Sequence, residues 1–415
     1  MFETKSGTVP ITKEMVKKAY RKVKANHGSA GVDKESLEEF QADLLNNLYK
    51  LWNRLSAGSY FPKPVREVSI PKGNRGKRKL GIPTVSDRIA QQVLKAYLEP
   101  ILEAIFHEDS YGYRPLKSAH DAVESVRMNV RDYAWVIDMD IKSFFDEVDH
   151  ELLMKGLDSH VEEKWVKMYI RGWLEVPSQS VEGTLTQKAG RGTPQGVVIS
   201  PLLSNLYLHY VLDKWLEKHY PSVGFVRYAD DVVVHCNNES AAKEVLVSIR
   251  ERLSACPLRL NEEKTKLVYC QDYRREKRDY KKKFDFLGFT FKPQSTASKN
   301  GGMFLGFDCS ISQTAQTRIV EGWKRLNFHR QSTLTIQEIA TQINPQMIGI
   351  FRYYGKYKIW ALRKLVRHFH FRLAKWVLNK YKGFKNSYRK AHDWIKGIKE
   401  SYPTMFYHWT IFESY

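Results

Sequence analysis

The chain has 415 residues, enough for two or three domains and a sizeable buried core. Lysine and arginine exceed the acidic residues by 21, which predicts a polyanionic partner held with salt-sensitive affinity. No run of about 18 apolar residues occurs and no lipidation signal is present, which argues against a membrane partner. The opening MFETKSGTVP lacks the apolar stretch of a secretory leader. Cys236, Cys256, Cys270 and Cys309 are scattered without CxxC pairing. They read as buried small hydrophobes in a reducing compartment rather than as a zinc site.

In chain order, residues 12–25 (TKEMVKKAYRKVKA) read as a basic helix capped by Thr12. A turn-rich stretch, NHGSAGVD (26–33), leads into a second helix from about Lys34 to Leu55. Residues 60–84 alternate apolar and basic side chains around a Gly-rich turn, predicting a hairpin with Lys72 and Arg78 at its tip. Cations there suit a triphosphate, since Arg offers a bidentate fork and Lys a point charge. Helical periodicity runs over Asp87–Ile105, with an Asp at the N-cap region.

Trp135–Asp146 (WVIDMDIKSFFD) is a strand-like apolar run that delivers Asp138 and Asp140. Gly190–Asn205 (GRGTPQGVVISPLLSN) is a Gly-rich turn leading into a helix, and its glycines allow close approach of backbone to a ligand. In GFVRYADDVVVHC (224–236) two apolar, β-branched runs flank Asp230 and Asp231, the pattern of a hairpin with both carboxylates at its tip. Together with the strand ending in Asp138 and Asp140, this hairpin predicts a three-carboxylate pocket. Such a pocket suits hard divalent cations such as Mg²⁺. Two ions about 4 Å apart stabilise the attacking and leaving oxygens of an in-line phosphoryl transfer. That is polymerase chemistry, although nucleases assemble similar sites.

Farther on, Ser240–Leu253 reads as a helix, residues 258–266 enter a strand, and 274–283 (RREKRDYKKK) is a charge run expected in an exposed loop. From Arg318 to Glu400 there are 19 Lys and Arg against 4 Asp and Glu, interleaved with Trp323, Tyr353, Tyr354, Tyr357, Trp360, Trp376 and Tyr381. Basic residues neutralise phosphates, while aromatics form core or stack on bases.

YADD, DIKSFFD and GTPQGVVISPLLSN stand in the order and spacing of a reverse transcriptase palm. Their wording resembles the group II intron-encoded reverse transcriptase/maturase family, and the resemblance extends over nearly the whole chain. It implies an α+β right-hand polymerase with fingers, a ferredoxin-like palm and an α-helical thumb, the maturase domain X. The implied domains are 1–59, an N-terminal extension with a template loop; 60–310, fingers and palm; 311–380, thumb; and 381–415, a basic DNA-binding segment. No Cys/His-bearing endonuclease domain follows, so the type expected is the endonuclease-lacking one.

The resemblance also implies roles. Asp140, Asp230 and Asp231 would hold two Mg²⁺ ions with the Ile141 carbonyl as helper, leaving Asp138 a supporting carboxylate. Lys72, Arg78, Gln195 and Lys264 (the last in a segment similar to LNPEKTK) would contact nucleotide, and Phe145 would exclude a 2′-hydroxyl. Arg114, in a segment similar to YGFRP, would meet phosphate or support the fingers. Gly196, Lys356, Arg363 and Arg367 complete the expected nucleic-acid contacts. Val197 and Val232 depart from the family pattern and bear on pocket shape. Expected partners are a structured RNA such as group II intron RNA, a DNA primer or target, and dNTPs. Oligomeric state stays open between monomer and dimer, and the expected location is nucleic-acid associated in a bacterial cytoplasm. A splicing maturase without essential polymerase activity, or a domesticated enzyme in DNA repair or defence, are the rival readings.

Overall fold

The computed structural model describes residues 9–72, 76–297, 301–384 and 387–412. They form two compact units: one runs to Val126 and resumes over Ile137–Lys266, and the other takes Arg127–Val136 and what is described from Leu267 on.

In the first unit, α1 (Lys13–Ala25) is capped by the Thr12 hydroxyl, which accepts from Met15 N at 3.2 Å. Its buried residues Val16, Ala19, Tyr20 and Val23 repeat at helical spacing. The single helix expected from Lys34 to Leu55 is instead two, α2 (Leu37–Ala42) and α3 (Leu44–Ser56). Asp43 separates them at φ −122°, ψ 50°, and accepts from the Asn46 amide at 2.9 Å. Asp is among the poorer helix formers and favours helix boundaries.

β1 (Val65–Lys72) and β2 (Gly76–Ile82) pair antiparallel, Lys72 opposite Gly76. The side chains of Lys72 and Arg78 lie outside the described residues. Helix α4 (Val85–Glu103) starts two residues before the expected Asp87, because Thr84 is the cap. Asp87 is buried at the third helical position, where it accepts the Tyr60 hydroxyl at 2.6 Å and the Thr84 hydroxyl at 2.7 Å.

Three further strands, β3 (Trp135–Asp140), β4 (Gly224–Tyr228) and β5 (Asp231–Cys236), lie in the order β4-β5-β3. Val232–Cys236 are all buried, as expected of a central strand covered on both faces. Helix α5 (Ser200–Leu208) ends in a π turn over His209–Asp213, and α6 (Glu239–Ala255) begins at an Asn238 cap.

Within the second unit, Cys270 N donates to Ala134 O at 2.8 Å. Here β6 (Phe284–Phe286), β7 (Phe289–Ala297) and β8 (Met303–Ile311) form an antiparallel sheet. The turn joining the first two is Leu287–Gly288, both left-handed at φ 48° and 81°. A two-residue hairpin demands that geometry, which costs a leucine more than a glycine. Two tyrosines brace it: the Tyr353 hydroxyl donates to Leu287 O at 2.9 Å, and a Cβ on Gly288 would sit 3.0 Å from the Tyr354 hydroxyl.

Four helices complete this unit: α7 (Gln313–Leu326), α8 (Ile336–Lys358), α9 (Arg363–Lys380) and α10 (Tyr388–Ser401). Trp323, Phe328, Phe369 and Trp376 are fully buried among them, and so are Phe406 and Phe412 from the last described residues. The charge run is the exposed loop expected, and two of its arginines anchor it. Arg274 pairs with Asp272 at 2.7 Å, and Arg275 donates to the carbonyls of Val130 and Arg131 at the end of a helix (Ala119–Asp132). Cations satisfy helix C-terminal carbonyls well. Among the described residues no helix is long and apolar enough to cross a membrane, and all four cysteines are buried.

His370 and His408 meet inside this unit, Nε2 to Nε2 at 2.8 Å, and the Trp409 indole donates to His370 at 3.3 Å. Burial lowers both ring pKa values, that of His370 to about 3. The folded rings therefore stay neutral while the unfolded rings protonate below about 6.5. Acidification from about pH 6.5 toward 3 should remove up to about 1.4 kcal/mol of stability per pH unit for each ring. Urea unfolding at pH 7 and pH 5 checks this, and His370→Gln should show the shallower pH dependence.

Candidate active site

The tip of the β4–β5 hairpin is a two-residue turn, because Tyr228 pairs directly with Asp231. Ala229 takes a left-handed conformation there at φ 57°, and Asp230 follows it. Beside the tip, β3 ends in Asp140, and the segment after it is stitched to residues 259–264. Lys142 N donates to Arg259 O at 2.9 Å, Ile141 bridges Leu260, and Asn261 N donates to Asp140 O at 2.8 Å. The same Asn261 donates its amide to Asp140 Oδ2 at 3.0 Å. Lys264 then reaches both Asp140 oxygens, at 3.1 and 3.0 Å.

The Asp231 carboxyl is pushed up to about 6, first by desolvation from the atoms around it, then by the charges of Asp230 and Asp140, while the residue itself keeps solvent access at the start of β5. Lys264 acts in the opposite direction. The hairpin and the strand have thus brought three carboxylates and one ammonium within electrostatic reach of one another. Among the described residues no group of three His, Cys, Asp or Glu side chains is already converged for metal ligation. The donors nevertheless fit a hard divalent cation: all are carboxylate oxygens, and their mutual repulsion is what such a cation relieves. Admitting one beside Asp140 requires Lys264 to withdraw.

The Gly-rich turn runs alongside. Gly192 N donates to Val148 O at 2.8 Å and Thr193 N to Phe145 O at 2.7 Å. Gly192 has φ 83°, and a Cβ on it would sit 2.8 Å from Asp146 O. Gly81 N in β2 donates to Gln195 O at 2.7 Å, and a Cβ on Gly196 (φ 94°) would sit 3.0 Å from Gly81 O. Gly196 therefore serves first to let the turn touch the β1–β2 hairpin. Phe145 and Phe144 are both buried, edge to face at 5.3 Å, with Phe144 the deeper and turned toward Tyr207. Val197 and Val232 are buried as well, so both departures fill core.

Arg114 differs from the phosphate contact considered for it. Its side chain is 6% exposed and paired with Glu103 at 2.6 Å, and it donates to the carbonyls of His107 and Ser110. An arginine so engaged supports the segment around it. In the second unit Lys356, Arg363 and Arg367 are exposed. Arg363 lies over the Trp360 ring at 4.4 Å, and that ring is 62% exposed, a cation–π pair open to solvent. Trp323, Tyr354 and Trp376 are core. Not anticipated were Asn261, on Asp140, and the fully buried Arg227, whose signal was a charge inside an otherwise apolar strand.

Comparison with known proteins decides the family. A family model described as reverse transcriptase (RNA-dependent DNA polymerase) matches residues 70–291, over half of the chain, and a group II intron, maturase-specific domain matches 317–394. The chain belongs to the group II intron-encoded reverse transcriptase/maturase family. Its fold is accordingly the α+β right-hand polymerase, and its enzyme class is RNA-directed DNA polymerase. It is 34% identical over 283 residues to protein YkfC of Escherichia coli, covering 58% of this chain and 73% of that protein. To the group II intron-encoded protein LtrA of Lactococcus lactis it is 33% identical over 201 residues, 48% of this chain and 33% of LtrA. Among solved structures, apo telomerase from Candida tropicalis aligns with a TM-score of 0.46 at 16% identity, over 60% of this chain and 55% of that one.

The balance of charges at the hairpin tip can be measured directly. In a carboxyl-detected NMR titration without divalent cations, Lys264→Met should raise the Asp231 pKa above about 6, and Asp230→Asn should lower it.

Proposed function

We propose that this chain copies RNA into DNA from a DNA primer, and that it also binds a structured RNA of group II intron type to assist splicing and retrohoming. One observation supports the reading: the strand end bearing Asp140 lies in the same sheet as the hairpin tip bearing Asp230 and Asp231, so that three carboxylates repel one another there. Such repulsion is costly unless a cation is part of the working site.

Asp140, Asp230 and Asp231 would hold two Mg²⁺ ions, with the Ile141 carbonyl assisting; when bound, such ions activate a primer 3′-hydroxyl and neutralise charge on the α-phosphoryl group. The protein's own groups do the rest. Lys264 leaves Asp140 and serves the departing pyrophosphate. Lys72 and Arg78 clamp the triphosphate of the incoming dNTP. Phe145 leaves no room for a ribose 2′-hydroxyl, and Gln195 with Gly196 borders the nucleotide–template pair. Lys356, Arg363 and Arg367 neutralise nucleic-acid phosphates. In this reading residues 1–59 carry a template loop, 60–310 the fingers and palm, 311–380 the thumb, and 381–415 a DNA-binding segment. The protein would act in the cytoplasm of a bacterium, bound to nucleic acid.

Primer extension on a generic RNA template with Mg²⁺ and dNTPs tests the activity. Wild type should extend, and Asp230→Asn should lose at least about a hundredfold in rate, the upper end of what even supporting residues of a metal site contribute. Extension by Asp230→Asn at the wild-type rate would sink the assignment. Tight binding of structured RNA without extension by wild type would leave the maturase reading alone. For the RNA surface, each of Lys356→Gln, Arg363→Gln and Arg367→Gln should reduce the salt slope of RNA binding by about 1 while weakening all sequences alike.

A further inference from the structure

Two motif residues, Gly112 and Asn205, and one strand residue, Arg227, take no direct part in the chemistry above, yet all three converge beneath the carboxylate turn. Arg227 is completely buried. Its Nε donates to Asp213 Oδ1 at 2.8 Å, and its Nη2 donates to Asp213 Oδ2 at 2.5 Å. Its Nη1 donates to Asn205 Oδ1 at 2.9 Å and to Ala229 O at 3.2 Å. Ala229 is the left-handed residue of the turn. One guanidinium thus joins the strained carbonyl immediately before Asp230 to a buried carboxylate.

The neighbouring chain locks the arrangement from the other side. Residues 109–112 run along β4, with Arg227 N donating to Asp109 O at 2.9 Å and Tyr111 N to Arg227 O at 2.8 Å. The Asn205 amide donates to Gly112 O at 2.7 Å. A Cβ on Gly112 would lie 2.4 Å from Ala229 N, so only glycine permits this segment to press against the turn.

The π turn explains how one helix supplies both partners. In a straight α-helix, positions eight apart such as Asn205 and Asp213 point about 80° away from each other. The wider turn at His209–Asp213 takes up much of that difference. Its loosened carbonyls are met by Arg252, which donates to Val211 O at 3.0 Å and Tyr210 O at 3.1 Å. A π turn in such a place often marks a functional site.

We propose that Arg227, Asp213 and Asn205 are positioning residues that hold the turn so that Asp230 and Asp231 stay together against their mutual repulsion, ready to bind divalent cations. The inference rests on the polymerase reading above and extends it to groups that touch neither substrate nor metal. An isolated hairpin tip carrying two carboxylates relieves repulsion by opening. Here the carbonyl of Ala229 is tied down and Gly112 blocks its retreat, so the backbone that carries both carboxylates is fixed in advance of binding.

The test uses the full chain and Mn²⁺ as probe, with free Mn²⁺ followed by electron paramagnetic resonance, beside the Mg²⁺ concentration giving half-maximal primer extension. Asp213→Asn keeps the shape and removes the charge that holds Arg227. It should weaken Mn²⁺ binding at least about tenfold and raise the Mg²⁺ requirement in parallel, with much of the rate returning at saturating Mg²⁺. Leu253→Ala, a core truncation on α6, should lower the melting temperature yet leave Mn²⁺ binding unchanged, which separates positioning from mere stability. Asn205→Ala leaves the ion pair intact and should shift both readouts in the same direction by a smaller factor, so it serves if Asp213→Asn does not fold. Folded Asp213→Asn or Asn205→Ala with Mn²⁺ binding and Mg²⁺ requirement within twofold of wild type overturns the inference. So does a wild-type chain that binds no Mn²⁺. Wild-type Mn²⁺ binding without primer extension would refute the polymerase reading alone, and the Mn²⁺ comparison would still judge the scaffold.

Discussion

Like charges held close together are the constraint on which the first unit depends. Asp140 arrives on a strand end, and Asp230 and Asp231 arrive on a two-residue turn. Desolvation first and then their repulsion raise the Asp231 carboxyl, and Lys264, on both oxygens of Asp140, is the counterweight. An exposed ion pair of this kind contributes little to stability, because water screens it and both side chains lose freedom. Its value is electrostatic balance among three neighbouring carboxylates. The rigidity comes from elsewhere, from backbone bonds that fasten residues 140–142 to 259–261 and from a buried guanidinium under the turn.

The other motifs of this unit are assembled through main-chain contacts in which glycine is a physical necessity. Gly192 lies against the carbonyl of Asp146 and Gly196 against that of Gly81, each with positive φ. A Cβ at either would force apart segments joined by hydrogen bonds of 2.7 to 2.8 Å. Through these contacts the Gly-rich turn, the FFD segment and the base of the β1–β2 hairpin share one neighbourhood, which gives Phe145 and Gln195 their proximity. Side chains in such a neighbourhood are aimed by backbone geometry, which a rotamer change cannot undo.

The second unit divides its aromatic residues by depth. Trp323, Phe369 and Trp376 form the core of the helical layer, and the His370–His408 pair is buried with them. Trp360 stands in solvent with Arg363 across its face, in reach of a partner. A basic, aromatic-rich helical segment thus serves two ends with one composition: rings turned inward exclude water, while those turned outward beside cations offer stacking and charge.

Much of this was legible in the amino-acid order. Strand and hairpin periodicity located Asp140, Asp230 and Asp231, the Gly-rich turn announced itself by composition, and Thr12 marked its helix start, because these features depend on residues near in sequence. Asp43 splitting a helix was missed, since helical periodicity on both sides outweighed one cap-forming residue. Arg114 read equally as a phosphate contact or a support for its segment, because charge is visible in a sequence and its engagement with Glu103 is not. The network of Arg227, Asp213, Asn205 and Gly112 was beyond reach for the same reason. Its members lie up to 115 positions apart, and a π turn no periodicity announces helps bring two of them onto one face. The chain alone determined which groups could do the chemistry. Only the tertiary structure decided which charges are buried, which are paired, and which remain for a substrate, because desolvation and pairing depend on neighbours in space.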